Sequence, residues 1–233
     1  NANGAMPHYR ATPESHAQIS TPAGLLAEGL LLIDSGAQYL GGTTDITRVW
    51  PIGTPTAAQK ADYTRVLRGT IALSRTRFPA GTLAPHLDAI ARAPLWEAGL
   101  DYGHGTGHGV GYFLNVHEGP QTIARAIPDP AMAMQPGMIT SIEPGLYRPG
   151  RWGVRIENLV HNVSVGCPDE FGEYLAFETL TLCPIDTRCI EPALLREDER
   201  QWLNGYHAEV LRRIAPHVSG DALAWLEQRT RAI

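Results

Sequence analysis

Four acidic residues, placed at the ends of apolar segments or inside them, constrain the fold of this chain more than any other feature. They are Asp34, Asp45, Glu143 and Glu157. A buried carboxylate costs free energy unless a partner compensates its charge. Any one of them alone could cap a strand end or pair with Arg48 or Arg155. Two hairpins would bring all four to corresponding positions, where bound cations would hold them ionised side by side.

Such a cluster predicts a site for two divalent metal ions. Ligation by many carboxylates and a single imidazole favours Mn²⁺, with Zn²⁺, Co²⁺ and Fe²⁺ as alternatives, because oxygen donors suit the harder ions. The imidazole is expected from Gly-His-Gly-Thr-Gly-His-Gly at 103–109, which contains His104 and His108. Glycine at every second position is unfavourable in a helix and predicts extended chain.

In extended chain, residues 104, 106 and 108 share one face, so both histidines are expected to face one cavity. The glycines on the other face let the backbone pass close to neighbouring structure. A phosphate-binding loop is the alternative for such a glycine-rich stretch. It is disfavoured because the sequence has no GK[ST] and no GxGxxG followed by a helix.

Composition narrows the classes of partner. The net charge is -5 with a pI near 6.0, and Lys60 is the only lysine. Without a basic run, nucleic acid and anionic membranes are not expected partners. Three cysteines without a CxxC spacing fit a reducing cytoplasm. No apolar run approaches the roughly 20 residues that cross a bilayer, so a soluble protein is predicted.

The apolar periodicity predicts an α+β domain in which two hairpins flank two helices. The predicted strands cover 30–33 and 46–50 around a turn at Gly41-Gly42, 138–143 and 154–160 around Pro149-Gly150, and 177–182. The predicted helices are one of about five turns after a capping box at Thr56 and Gln59, one over 83–96 kinked or shortened by Pro94, and two over 202–214 and 222–228. The apolar stripe of 202–214 is assigned to the core rather than to a dimer contact.

Several motifs resemble the pita-bread metallopeptidases, the family of methionine aminopeptidase, prolidase, creatinase and aminopeptidase P. The matching stretches are LLLIDSGAQY at 30–39, GTTDITR at 42–48, HGTGHGVG at 104–111, FLNVHEGP at 113–120, EPGLY at 143–147 and VRIEN at 154–158. They follow the family's order and are most similar to aminopeptidase P, in particular the form of animal cytosol. The resemblance implies the pita-bread fold, with a catalytic domain over 1–185 and a helical extension over 186–233.

The resemblance also implies roles for individual residues. The implied metal ligands are Asp34, Asp45, His108, Glu143 and Glu157, with Asp45 and Glu157 bridging two ions. The implied substrate-side residues are His8, His104 and His117, with Tyr147 and Arg155 forming the proline pocket. Glu143 is the expected proton acceptor for the attacking water, and His117 and His8 are expected to steady the tetrahedral intermediate. From the residues alone, His8 and His117 are typical of surface or structural histidines beside turns.

The implied activity is metal-dependent hydrolysis of the N-terminal Xaa-Pro bond of peptides, by a chain that forms a homodimer. The alternatives are an inactive pita-bread binding module, a prolidase that cuts dipeptides, and a methionine aminopeptidase. Retention of all five ligands disfavours the binding module. The nine-residue step from His108 to His117 favours aminopeptidase P. The chain departs from the family in lacking the domains, helix and strand that precede this part, and in having Ile142 where relatives often carry an acid.

Overall fold

The computed structural model describes residues 20–21, 24–25, 28–166 and 170–233. Its strands are β1 (Ser20–Thr21), β2 (Gly24–Leu25), β3 (Gly29–Tyr39), β4 (Gly42–Ile52), β5 (Arg77–Pro79), β6 (Gly107–His108), β7 (Thr122–Ile123), β8 (Ile139–Ile142), β9 (Gly145–Arg148), β10 (Trp152–Arg155), β11 (Asn158–Ser164) and β12 (Tyr174–Thr179). Its helices are α1 (Ala57–Ser74), α2 (Asp88–Trp96), α3 (Glu197–Ile214) and α4 (Gly220–Arg229), with 3₁₀ turns at Ala84–Leu87, Pro130–Met132, Thr187–Cys189, Pro192–Leu194 and Ala215–His217. Within these ranges no helix has the length and apolarity needed to cross a membrane.

The first predicted hairpin is confirmed, and it is longer than predicted. Strands β3 and β4 are 11 residues each and pair in antiparallel register from Gly29 opposite Ile52 to Tyr39 opposite Gly42. The turn therefore lies at 40–41, one residue before the predicted position. The apolar base of the hairpin packs into the core, while its tip, including Leu40, is exposed.

The capping box and the five-turn helix are also confirmed. Thr56 Oγ1 accepts a hydrogen bond from the Gln59 amide at 3.2 Å, and Gln59 Oε1 accepts one from the Thr56 amide at 2.8 Å. Helix α1 then runs for 18 residues. The second predicted helix begins as a 3₁₀ turn and continues as α2 with Pro94 inside it, so proline neither ends nor divides this short helix.

The second predicted strand pair is more elaborate than the sequence indicated. A four-stranded antiparallel sheet has the order β5-β12-β11-β8, and β9 and β10 form a separate hairpin around 149–150. The single strand predicted over 154–160 is two strands, separated at Ile156 and Glu157. Strand β10 pairs with β9, whereas β11 pairs with β8 through Asn158 opposite Ile142. Glu157 thus lies where the chain changes partners.

Two apolar clusters hold these elements together. One packs α1 against β10 and α3, and the other lies between the four-stranded sheet and α2. Leu203 and Val210 of α3 are fully buried, which confirms the core assignment of that helix. Burial of such a side chain contributes about 2 kcal/mol. Strand β12 begins three residues before the predicted 177–182, because Leu175 and Phe177 fill the second cluster.

Candidate metal centre

The five predicted ligands line one cavity of 260 Å³. Its lining residues are Asp34 and Gly36 and Gln38 of β3, Thr44 and Asp45 of β4, His108 of β6, Val116, His117, Glu143 and Glu157. Possible ligand atoms of Asp45, His108 and Glu157 all lie within 4.8 Å of one another. Because these side chains come from separate strands, their convergence is a property of the fold and not of local sequence.

The ring of His108 is oriented for ligation. Its Nδ1 lies 2.9 Å from the carbonyl oxygen of Gly109, which can only accept, so Nδ1 carries the proton. Nε2 then faces the acids, 3.2 Å from Glu143 Oε1 and 3.7 Å from Asp45 Oδ2. Burial alone would lower the pKa of His108, but the hydrogen bond and charge of Glu143, together with the Gly109 carbonyl and the charge of Asp45, raise it overall. A backbone partner on one nitrogen is the usual arrangement for a histidine whose other nitrogen binds a metal.

Glu157 is the most deeply buried of the acids. It is 1% exposed, and Thr47 Oγ1 donates a hydrogen bond to its Oε2 at 2.7 Å. Within the described residues its buried Oε1 has no hydrogen-bond partner. Burial, followed by repulsion from Glu143 and Asp45, raises the pKa of Glu157 well above its ordinary value. A buried carboxylate oxygen without a hydrogen-bond partner is suited to bind a cation.

The charges of the other acids are coupled in the same way. Burial and the neighbouring carboxylates of Asp34 and Glu143 raise the pKa of Asp45 to about 6. Burial, the largest single cause, acts in the same direction on Glu143, but the hydrogen bond and charge of His108 together with the charges of Arg155 and His104 outweigh it, so the pKa of Glu143 is lowered. The cluster is thus short of positive charge. Four carboxylates and one imidazole around one cavity form a donor set that fits two divalent ions.

Arg155 connects the cluster to the predicted substrate side. It is 2% exposed and donates to Asp34 Oδ2 at 2.8 Å, to Thr47 Oγ1 at 3.1 Å and to the Tyr147 hydroxyl at 2.9 Å. Tyr147 in turn lies 2.8 Å from His104 Nε2. Arginine, tyrosine and histidine therefore form one hydrogen-bonded chain that begins beside the carboxylates.

His104 is directed at Tyr147 rather than into the cavity. Its Nδ1 is 2.7 Å from the carbonyl oxygen of Gly105, which places the proton there and leaves Nε2 to accept from Tyr147. Burial lowers the pKa of His104 and raises that of Tyr147 to about 12, so both are neutral at pH 7. The expectation that both histidines face one cavity is met by His108 alone, because the chain bends before β6.

The remaining predicted histidines differ in position. His117 lines the cavity, and its ring meets that of His108 edge-on, with centroids 4.3 Å apart. His8 lies outside the described residues, and its role stays a prediction. The predicted proline-pocket residues Tyr147 and Arg155 lie beside the cavity and not in its lining.

The glycine-rich segment has the close contacts that the sequence indicated. A Cβ on Gly107 would collide with the carbonyl oxygen of Ser141, and one on Gly109 would collide with that of Glu118. Ser141 Oγ also accepts from the His108 amide at 2.9 Å and donates to Glu143 Oε1 at 3.0 Å. The absence of side chains thus lets β6 approach β8 and place His108 beside Glu143.

Residues that the sequence did not single out orient this site. Thr47 links Arg155 to Glu157. Arg92, which is 1% exposed, pairs with Asp88 at 2.6 Å and donates to the carbonyl oxygens of Tyr102 and His104, each at 2.8 Å. These contacts hold the start of the glycine-rich segment on α2. Asp88 lies four residues before Arg92 on the same helix, but the other partners are non-local or carbonyl groups that no motif could have indicated.

The comparisons with known proteins agree with this site. The model of metallopeptidase family M24 matches residues 1–162, and that of the C-terminal region of peptidase M24 matches 173–233. The chain belongs to metallopeptidase family M24. It is 47% identical over 235 residues to a probable Xaa-Pro aminopeptidase P of Coprinopsis cinerea, with 99% of this chain and 37% of the relative covered. It is also 47% identical to aminopeptidase P2 of Arabidopsis thaliana, in a match that covers 100% of this chain and 32% of the relative.

Solved structures confirm the α+β pita-bread fold. X-prolyl aminopeptidase from Caenorhabditis elegans, described as a cytosolic enzyme with a di-nuclear active site, is 39% identical and superposes with a TM-score of 0.90 over 100% of this chain and 37% of its own. Prolidase from Pyrococcus furiosus is 30% identical and has a TM-score of 0.60, over 76% of this chain and 46% of the prolidase chain. The chain thus spans about a third of the length of the first relatives. The predicted boundary at 185–186 stays a prediction.

Proposed function

We propose that this chain is the catalytic part of a metal-dependent aminopeptidase that hydrolyses the N-terminal Xaa-Pro bond of peptides. The observation that carries the proposal is the convergence of four carboxylates and His108 on one cavity, with Glu157 Oε1 buried and without a hydrogen-bond partner among the described residues. The names of the C. cinerea, A. thaliana and C. elegans relatives support the same activity. The residues that would hold the ions are those expected from the sequence, Asp34, Asp45, His108, Glu143 and Glu157.

The chemistry divides between the ions and the residues around them. Two bound divalent ions, Mn²⁺ in this proposal, would polarise the scissile carbonyl and lower the pKa of a water molecule. Glu143 accepts the proton of that water and passes it to the leaving nitrogen, since its carboxylate is ionised and faces the cavity. His117 lies at the cavity wall, where its ring can donate a hydrogen bond to the developing oxyanion.

The proline preference is proposed to come from the chain of His104, Tyr147 and Arg155. Arg155 fixes the Tyr147 hydroxyl, which donates to neutral His104. The rings of His104 and Tyr147 meet edge-on at 5.3 Å and offer an apolar surface beside the metal centre. Such a surface suits an imino ring, which has no N–H to satisfy.

A paired-peptide assay tests this proposal. Metal-stripped protein is incubated with an Xaa-Pro-Xaa peptide or its Xaa-Ala-Xaa twin, with and without Mn²⁺, while bound metal is measured separately. We expect Mn²⁺-dependent release of the first residue from the proline peptide alone. Bound Mn²⁺ with no release from either peptide would favour the binding module. An Xaa-Pro dipeptide is assayed in parallel, and cleavage of this dipeptide without cleavage of the longer peptides would favour a prolidase.

The cell compartment is proposed from one of these relatives. The C. elegans protein is described as cytosolic, which supports a cytoplasmic location for this chain. The homodimer implied by the family resemblance stays a prediction, and sedimentation equilibrium would test it.

A further inference from the structure

Arg48 of β4 is a buried cation with an unusual set of partners. It is 3% exposed, and in the described part of the chain all of its hydrogen bonds go to neutral oxygens. A buried guanidinium is costly unless every donor is used. The acceptors are the carbonyl oxygens of Thr47, Glu157, Cys183 and Pro184, Asn158 Oδ1 and the Tyr206 hydroxyl. Arg48 therefore cannot move without the segments that satisfy it.

These acceptors belong to two distant regions. One region comprises the carbonyl of Glu157, a proposed metal ligand, and the side chain of the next residue, Asn158, at 2.7 Å. The carbonyls of Cys183, at 2.9 Å, and Pro184, at 3.1 Å, lie in the segment that leads to α3. Arg48 thus bridges the C-terminal region and the main chain of the most buried acid of the site.

Tyr206 of α3 completes the bridge. Its hydroxyl accepts from Arg48 at 3.0 Å and lies 2.8 Å from the Cys183 carbonyl, to which it can donate. Burial raises the pKa of Tyr206, so the hydroxyl keeps its proton. The neighbouring His207 accepts from the Ile185 amide at 3.1 Å. Two adjacent residues of α3 therefore fix the 183–185 segment, and with it the acceptors of Arg48.

We infer that Arg48 and Tyr206 are positioning residues, through which the C-terminal region fixes the main chain at Glu157 and sets the affinity of the metal centre. The inference rests on the proposed metal site. Among the residues that the structure describes, the side chain of Glu157 has one hydrogen bond, from Thr47, and its Oε1 has no partner, so the position of Oε1 depends on where the backbone is held. Groups that orient a ligand without touching the metal commonly change metal affinity by about 10- to 100-fold.

The test is a calorimetric titration of Mn²⁺ into the metal-free chain at pH 7.5. Tyr206→Phe removes the hydroxyl and keeps the ring in the core. Leu203→Ala, on the same helix, is the control, because it opens a cavity and removes more core packing without touching the bridge. Unfolding in urea ranks the stability of the unaltered chain and of each variant. Arg48→Lys, which keeps the charge but loses the forked donors, is the second variant.

We expect Tyr206→Phe and Arg48→Lys to weaken Mn²⁺ binding by about tenfold, while Leu203→Ala binds as the unaltered chain does despite its lower stability. Unchanged affinity in both bridge variants would overturn the inference. So would a loss in Leu203→Ala that matches or exceeds theirs, because affinity would then follow stability alone. If the unaltered chain binds no Mn²⁺, the proposed metal site itself fails, which is a distinct outcome.

Discussion

Asp34 and Asp45 come from a two-stranded hairpin whose tip is exposed, whereas Glu143 and Glu157 flank strands of a packed sheet. The side chain of Asp34 is 40% exposed, while Glu157 is 1% exposed. Asp34 is held by Arg155, and Glu157 is held by Thr47 and by the main-chain contacts around Arg48. The centre is thus open to solvent at Asp34 and fixed in the core at Glu157, while the side chains of Asp45 and Glu143 lie between these extremes, 12% and 16% exposed.

This difference indicates a division of labour between the two acids. Glu157 is costly to keep charged and stabilises bound cations most, because solvent screens its charge least. The exposed position of Asp34 leaves room for a substrate, and Asp34 exchanges its contacts with less reorganisation. The comparison predicts unequal effects when the same chemical change is made on each side.

The largest difference is expected between Glu157→Gln and Asp34→Asn. Loss of the buried carboxylate should reduce the number of bound Mn²⁺ ions. Peptide hydrolysis should then slow by at least about 10³-fold, because the ions no longer stabilise the transition state by several kcal/mol. Asp34→Asn should keep measurable binding, with a smaller loss. Hydrolysis rates and metal content per chain would be measured together. Glu178→Gln, at an exposed site on β12, is the control. Equal losses in Glu157→Gln and Asp34→Asn would mean that the buried and the exposed acid do not differ in function.

A smaller effect is expected on the metal-free chain. The pKa of Asp45 is raised from 3.8 to about 6, so the folded state holds its proton more tightly than the unfolded state. The contribution of this group is therefore favourable below pH 3.8 and is lost as the pH rises through 6. Asp45→Asn should raise the free energy of unfolding by about 2 kcal/mol at pH 7.5, and by less as the pH falls.

Urea unfolding in a chelator would measure this gain between pH 4 and pH 7.5. Added Mn²⁺ should reverse the order, since only the unaltered chain gains from binding the ions at full affinity. A variant that is no more stable than the unaltered metal-free chain at pH 7.5 would mean that repulsion among the carboxylates is already relieved.

The smallest effect is expected at Thr47. Thr47→Val removes the hydrogen bond to Glu157 Oε2 and the acceptor for Arg155 Nε, while it keeps the shape of the side chain. Mn²⁺ affinity should fall by about tenfold, or about 1.4 kcal/mol. Thr64→Val is the matched control, because that buried hydroxyl donates to the carbonyl oxygen of Lys60 and accepts from the backbone amide of Glu191, away from the metal centre. A loss of affinity in the control as large as in Thr47→Val would mean that Thr47 does not act by orienting Glu157 and Arg155.

The parts of the fold that sequence predicted are those with local signals. The capping box at Thr56 and Gln59 needs neighbours three residues apart, and the first hairpin follows from two apolar runs with an intervening turn. The acids of the metal centre were likewise visible as charges in apolar surroundings. Each of these signals lies within a few residues of the element that it predicts.

The parts that sequence missed depend on distant contacts. The break at Ile156 and Glu157 is hidden because every residue from 152 to 160 is buried, so the burial pattern has no interruption there. The bonds of Arg48 join residues up to 158 positions apart. The turn of His104 toward Tyr147 similarly depends on α2, whose Arg92 holds its carbonyl oxygen. Tertiary packing, and not local preference, decides each of them.

Gly107 and Gly109 show how far the requirements of this site extend beyond its chemistry. Neither has a side chain that could take part in a reaction, yet any larger residue at either would meet the backbone of Ser141 or Glu118. Alanine, the mildest replacement, already adds the colliding atom. Inherited missense changes at these two positions should therefore be as damaging as changes at a ligand, so that two residues without functional groups set part of the chain's tolerance to mutation.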